Sequence, residues 1–320
     1  MTIKNSGSLA VSEIVTEFGG NTPHSFSEYY RGGSYVVSGI TNPNGIPTSG
    51  PIAVSRFYGA AKKMTLVYVV GTNQTDLNIY SAAAVAGWNY VSAFDLVVTI
   101  QPGIYLGSSS TSTPALNTGS GYPAGTTITI VNNGYILGKG GAGGNGGYAG
   151  VNSTPGTSGL SGGPAMIIQT QITLQNNGVI AGGGGGGGGG GSTADSYAGP
   201  AGGCGGGGGQ GFLISSGGAG TNYGPGGVFN AGGTSTGSPG SQTSAGLGGI
   251  YGSPYYGYMT GGNGGNGGSL GQAGSAGSYS SSNGNFNSVD PGGAGIPGPA
   301  ISGNSNITWG AIGTIYGTIS

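Results

Sequence analysis

Few side chains in this sequence can do covalent, acid–base or metal chemistry. His24 is the only histidine, which excludes a histidine-based metal cluster and leaves a single imidazole for catalysis. It stands beside a predicted helix start, where an exposed or capping role accounts for it. Cys204 is the only cysteine, so no intrachain disulfide can form. It sits inside a glycine tract with no cation nearby to lower its pKa, and reads as a small packing residue. The paired carboxylates of a glycosidase would have to be Asp195 and Asp290, the only acids beyond Asp95. Each lies among Ser, Gly and Pro in a predicted loop. The unbroken glycine run at 182–191 lacks the following Lys-Ser/Thr of a phosphate loop. The expectation is a protein that is not an enzyme and uses no cofactor and no metal.

Aromatic rings set between glycine tracts are the recurring feature. Tyr148, Tyr197, Phe212, Tyr223, Phe229, Tyr251, Tyr255, Tyr256, Tyr258, Tyr279 and Phe286 stand among Ser, Asn, Gly and Thr. Antibody paratopes use the same palette: stiff amphipathic rings plus small adaptable polar groups. Rings on loops held by a rigid scaffold are candidate binding residues. The competing reading is that they cover a glycine core with no apolar side chains of its own.

The scaffold that would hold those loops is written in a period of three. Lys139, Ala142, Asn145 and Tyr148 are separated by glycine pairs, and so are Asn263, Asn266 and Ser269. Helices repeat every 3.6 residues and strands every 2. Three residues per turn is the polyproline II repeat. Residues 138–320 are therefore expected to form a bundle of polyglycine II helices with aromatic loops. Ordering 64 glycines past residue 138 is costly, roughly 0.5–1 kcal/mol each relative to alanine. A polyproline II strand has no internal hydrogen bonds, so neighbouring passes must satisfy its backbone. Collagen is disfavoured because Gly-X-Y is not kept.

Residues 64–137 read as a β-rich domain, with strands at 64–70, 96–100 and 126–131 and a short helix near 80–86. Asn132-Asn133-Gly134 is a hairpin or solenoid corner. Residues 128–138 recur as 172–182, and 307–316 is a degraded third copy, which points to stacked units. Residues 1–63 read as an N-terminal attachment module with helical turns at 8–18, 25–31 and 52–58, the second opened by a Ser25/Glu28 capping box. Such short turns need a partner or copies of themselves. The fold class is thus mostly β and irregular, with a small helical N-terminal module.

Eight of the 13 charges fall in residues 1–63, and no Lys or Arg follows Lys139. That argues against nucleic acid and anionic membrane as partners. No apolar run is long enough for a membrane helix, and the N-terminus does not read as a signal peptide.

The segments 17–20, 25–33, 46–50 and 57–59 resemble the start of many tailed-bacteriophage structural proteins. Residues 114–119, 126–130 and the repeated Asn-Asn-Gly corner look like phage tail-fibre proteins. The glycine tracts with aromatic loops are similar to the distal tail-fibre adhesins of T-even-like phages; the N-terminal attachment domain is not part of that likeness. The resemblance implies a virion protein at a tail-fibre tip, synthesised in the host cytoplasm. It implies that loops on a polyglycine II scaffold bind a host outer-membrane protein or surface glycan, and that other phage tail proteins are partners. A homotrimer is expected, with a monomer capping a trimeric fibre as the alternative. A purely structural virion protein is the second functional reading, and a polyglycine II antifreeze protein is a distant third.

Overall fold

The computed structural model describes residues 3–36, 40, 42–150, 152–195, 199–221, 235–251, 259–282 and 287–320. It is mostly β, with two α-helices, Val11–Phe18 (α1) and Ile79–Val85 (α2). The sequence predicts both. Asn78 opens α2 by accepting the Ser81 N–H through Oδ1 at 3.3 Å.

The strands climb in rungs. Met64–Val70 (β1) leads into Gln74–Thr75 (β2) and Leu77–Asn78 (β3). Phe94–Ile100 (β4), Tyr105–Gly107 (β5) and Leu116–Asn117 (β6) repeat the path. Thr127–Asn132 (β7) and Tyr135–Leu137 (β8) start a third rung, which Met166–Ile167 (β9) completes. Ile172–Asn176 (β10) and Val179–Ala181 (β11) start a fourth. The chain then leaves the stack, making short strands Ser192–Asp195 (β12), Gly199–Ala201 (β13), Met259–Thr260 (β14), Ser281–Ser282 (β15) and Asn287–Val289 (β16). It returns through Ile301–Ser302 (β17), Ile307–Ala311 (β18) and Thr314–Tyr316 (β19).

Three parallel sheets result, in orders β1-β4-β7-β10-β18, β19-β11-β8-β5-β2 and β17-β9-β6-β3. Side chains that alternate inward share one core, with Leu96, Ile130 and Leu174 from the first sheet, Leu106, Ile136 and Ile180 from the second, and Leu116, Met166 and Ile301 from the third. The 44-residue repeat is the rung spacing, since Thr173 pairs with Thr129 and Val179 with Tyr135. The third copy stacks as well, with Ile307 against Ile172 and Thr314 against Val179. The Asn-Asn-Gly motif is a solenoid corner, because β7 and β8 lie in different sheets. Asn132 Nδ2 donates to Asn176 Oδ1 at 2.8 Å, and both residues are fully buried. Gly134 is needed there: a Cβ would stand 2.4 Å from the Ile104 carbonyl oxygen.

Residues 138–163 and 182–299 are excursions between the second and third sheets. Each is a series of passes that run back and forth along one axis. The run 182–191 is the axis. Its N–H groups donate in rotation to three passes: Gly183 to Gly163, Gly184 to Gln210 and Gly185 to Gln272, a sequence that repeats every three residues. Its carbonyls accept in the same rotation from three others, for example from Gly141, Gly268 and Gly298. Every N–H and C=O of 182–191 is bonded this way, at 2.7–3.0 Å. A Cβ on any of these glycines would meet backbone at 1.8–2.6 Å. The next pass, 202–211, is a second axis, donating to 141–147, 262–268 and 235–241. Cys204 lies within it, fully buried. Outer passes carry a side chain at every third position, and these replace missing neighbours. Asn145 Oδ1 accepts from the Ala219 N–H, and Asn266 Oδ1 accepts from the Gly248 N–H at 2.8 Å.

Residues 3–60 have a separate core of Ile14, Phe18, Tyr29, Ile46 and Phe57. Phe57 is central, with the rings of Phe18, Phe26 and Tyr29 each 6.3 Å away. The capping box forms as predicted, with Glu28 Oε2 accepting from the Ser25 N–H. The short turns pack on one another within the chain, which supplies the burial they lack singly. His24 stands beside the Tyr29 hydroxyl, 3.4 Å from it.

Candidate functional site

Pass direction decides where each loop lies. Odd passes run away from the β stack and even passes run back, as the antiparallel bonds between neighbours such as Gly163 and Lys139 require. The connections after 147, 191, 221, 251 and 282 therefore fall at the far end of the bundle. Those after 211, 241 and 269 fall at the near end, against the stack.

The far end is tied together by short antiparallel pairings. Tyr148 and Thr154 exchange backbone hydrogen bonds of 2.7 Å. β12 is flanked by β13 and β16, and β14 pairs with β15. These strands were not legible beforehand, because segments such as Ser-Thr-Ala-Asp show no alternation of apolar and polar residues.

Four of the predicted aromatics lie among the described residues. Tyr148 is half-buried, its ring laid over Gly150, where a Cβ would come within 2.5 Å of the phenol oxygen. Tyr251 is half-buried, its ring against Gly261. Burial raises its pKa, with a smaller contribution from Cys204. Tyr279 is 73% exposed. These three belong to the far end. Phe212 does not: it follows the second axis at the near end, is 6% exposed, and packs on Leu137 and Ala181. It fills the space over Gly107, where a Cβ would lie 1.8 Å from its ring. Tyr197, Tyr223, Phe229, Tyr255, Tyr256, Tyr258 and Phe286 lie outside the described residues.

The far end carries no Lys or Arg. Lys139, the last cation, is at the near end, donating through Nζ to the Ser109 carbonyl at 2.9 Å. Asp290 is exposed at the far end. Burial pushes the Cys204 thiol up, away from the reactive thiolate. Among the described residues no group of three His, Cys, Asp or Glu side chains is placed to hold a metal, and no helix is long and apolar enough to cross a membrane. What the far end offers chemically is contact: rings, hydroxyls and amides on closely braced passes.

Comparison with known proteins gives the same direction. Among curated proteins none matches. A crystal structure of the gp37-gp38 adhesin tip complex of the bacteriophage S16 long tail fiber contains a chain of similar fold. The TM-score is 0.51 and the identity 22%, covering 99% of this chain and 100% of that one. The likeness in fold therefore takes in residues 1–63 as well, which the sequence resemblance left aside. The family described as phage tail fibre adhesin Gp38 matches residues 65–320. With four-fifths of its length inside that match, the chain belongs to the phage tail fibre adhesin Gp38 family and is a virion component.

Proposed function

We propose that this adhesin recognises a host cell-surface receptor with the loops at the far end of its glycine bundle. The observation that carries this is topological: Tyr148, Tyr251 and Tyr279 stand at one end, away from the β stack. The chain positions flanking Tyr197, Tyr223, Phe229, Tyr255, Tyr256, Tyr258 and Phe286 are at that end too. We read the bundle as polyglycine II. The three-step rotation of donors and acceptors around 182–191 matches three residues per turn, and it favours a rigid rod that holds loops without internal hydrogen bonds. A host outer-membrane protein or a surface glycan fits an aromatic surface that carries no Lys or Arg.

Residues 1–63 are proposed as an attachment module, 64–137 as a β-rich domain and 138–320 as the receptor-binding domain. The S16 chain of similar fold is in a complex with gp37, which favours another tail-fibre protein as the partner of residues 1–63. The copy number follows from that partner: a trimer, or a monomer capping a trimeric fibre. Purified protein added to host cells before phage is expected to block adsorption, and exchanging residues 251–260 for those of a phage with another host should redirect it. No competition at saturating dose would leave only a structural virion role.

A further inference from the structure

A second site lies at the opposite end of the bundle. The outward face of the second sheet and the near-end turns of the passes enclose a cleft of about 530 Å³. Small-molecule sites commonly measure about 300–1,000 Å³. Tyr105 and Tyr135, in register on neighbouring rungs, stack with centroids 4.4 Å apart and planes 8° from parallel. Tyr316, 47% exposed, adds a third ring from the last rung. Gln242, Ser269 and Gln272, from the near-end turns, also line the cleft. Their side chains, and the three phenol hydroxyls, have no hydrogen-bond partner among the described residues.

The turns are fixed before any ligand arrives. Gln210 Nε2 donates to the Gln242 carbonyl at 3.0 Å, and its Oε1 accepts from the Leu270 N–H at 3.3 Å. One side chain thus ties three near-end turns together, and Phe212 seats the first of them on the sheet. No charged side chain lines the cleft. A phosphate or carboxylate ligand would lack a cationic partner, and a metal ion would lack a carboxylate. A wholly apolar ligand would bury open amides and hydroxyls unpaired. A neutral ligand with apolar C–H faces and many hydroxyls satisfies both walls.

We infer that this cleft is a binding site for a neutral saccharide, separate from the far-end loops. It rests on no part of the far-end reading. The test uses the full chain and four probes, namely maltotriose, lactose, cellobiose and N,N′-diacetylchitobiose, with saturation-transfer NMR and calorimetric titration. At least one probe is expected to bind with a Kd of about 0.1–1 mM, with transfer from tyrosine ring protons. Gln242→Ala and Gln272→Ala should each weaken binding about three- to tenfold, the loss of one neutral hydrogen bond. Both sit on the surface and should leave the melting temperature unchanged. Tyr316→Ala should weaken binding further, and a chain with residues 251–260 exchanged should bind as before. The inference is overturned if no probe binds at about 20 mM, where a millimolar site would be nearly filled. It is overturned equally if binding follows the 251–260 exchange and ignores Gln272→Ala. It also fails if the probes do not bind and a tail-fibre protein is what covers the cleft.

Discussion

Gly187→Ala tests the glycine lattice at its axis. The added methyl carbon would stand 2.0 Å from the Gly265 carbonyl oxygen and 2.5 Å from its carbon. Both are backbone atoms, so no flexible side chain can yield. Restoring ordinary contact distance requires the two passes to part by more than an ångström. Gly187 also donates to Gly207 and accepts from Gly144, each at 2.8 Å, and separation weakens both bonds. Overpacking costs about 1–3 kcal/mol and each weakened bond about 1, so the total is about 4 kcal/mol. The smaller entropy of the unfolded alanine chain returns only about 0.5 kcal/mol. At about 2 °C per kcal/mol for a chain of this size, scanning calorimetry should show a melting temperature lower by roughly 7 °C. Gly293→Ala is the control. Only the Ser158 hydroxyl oxygen comes near its new Cβ, at 3.4 Å, and its stability should be unchanged or slightly raised. If the two variants melt within about 2 °C of each other, the close-packed account of 182–191 is wrong.

Asn176→Ala removes the acceptor of Asn132 and uncovers the Thr314 carbonyl inside the stack; urea unfolding should register a loss of about 2–3 kcal/mol. Phe212→Ala should cost about 3 kcal/mol in the same assay yet leave adsorption blocking intact at low temperature. Tyr279→Ala should do the reverse, because its ring is exposed and belongs to the far end. Burial pushes the Asp95 carboxyl up, but Lys63 at 2.6 Å and the Thr127 hydroxyl outweigh it and hold the pKa below the usual carboxylate value. A lowered folded pKa stabilises above the unfolded value and is lost as pH falls through the folded one. Asp95→Asn should therefore lower the melting temperature at pH 7, and the difference from wild type should shrink as pH falls below the usual carboxylate range.

Much of the architecture was legible because two signals are local. Strands such as Met64–Val70 announce themselves by β-branched runs, and the corner motif by its repeat at 44 residues, which sets the rung register. The uninterrupted run 182–191 marked the axis, since a pass with neighbours on every side has room for no Cβ anywhere. Two neighbours fewer leave room for a side chain at every third residue, hence Asn145, Asn263 and Asn266 on outer passes. The site was less legible. Rings between glycine tracts look alike in sequence, yet Phe212 is core and Tyr279 is surface. The difference is the parity of the pass that each one ends.

The sequence by itself determined the period of three, the rung repeat and the phage adhesin character. These depend on residue types at short, fixed spacings. Only the tertiary structure decided which end each loop occupies and which passes are neighbours. It alone placed Tyr105 on Tyr135 and Gln210 among three turns. Those facts rest on hydrogen bonds perpendicular to the chain, between residues far apart in sequence, and no local pattern encodes them.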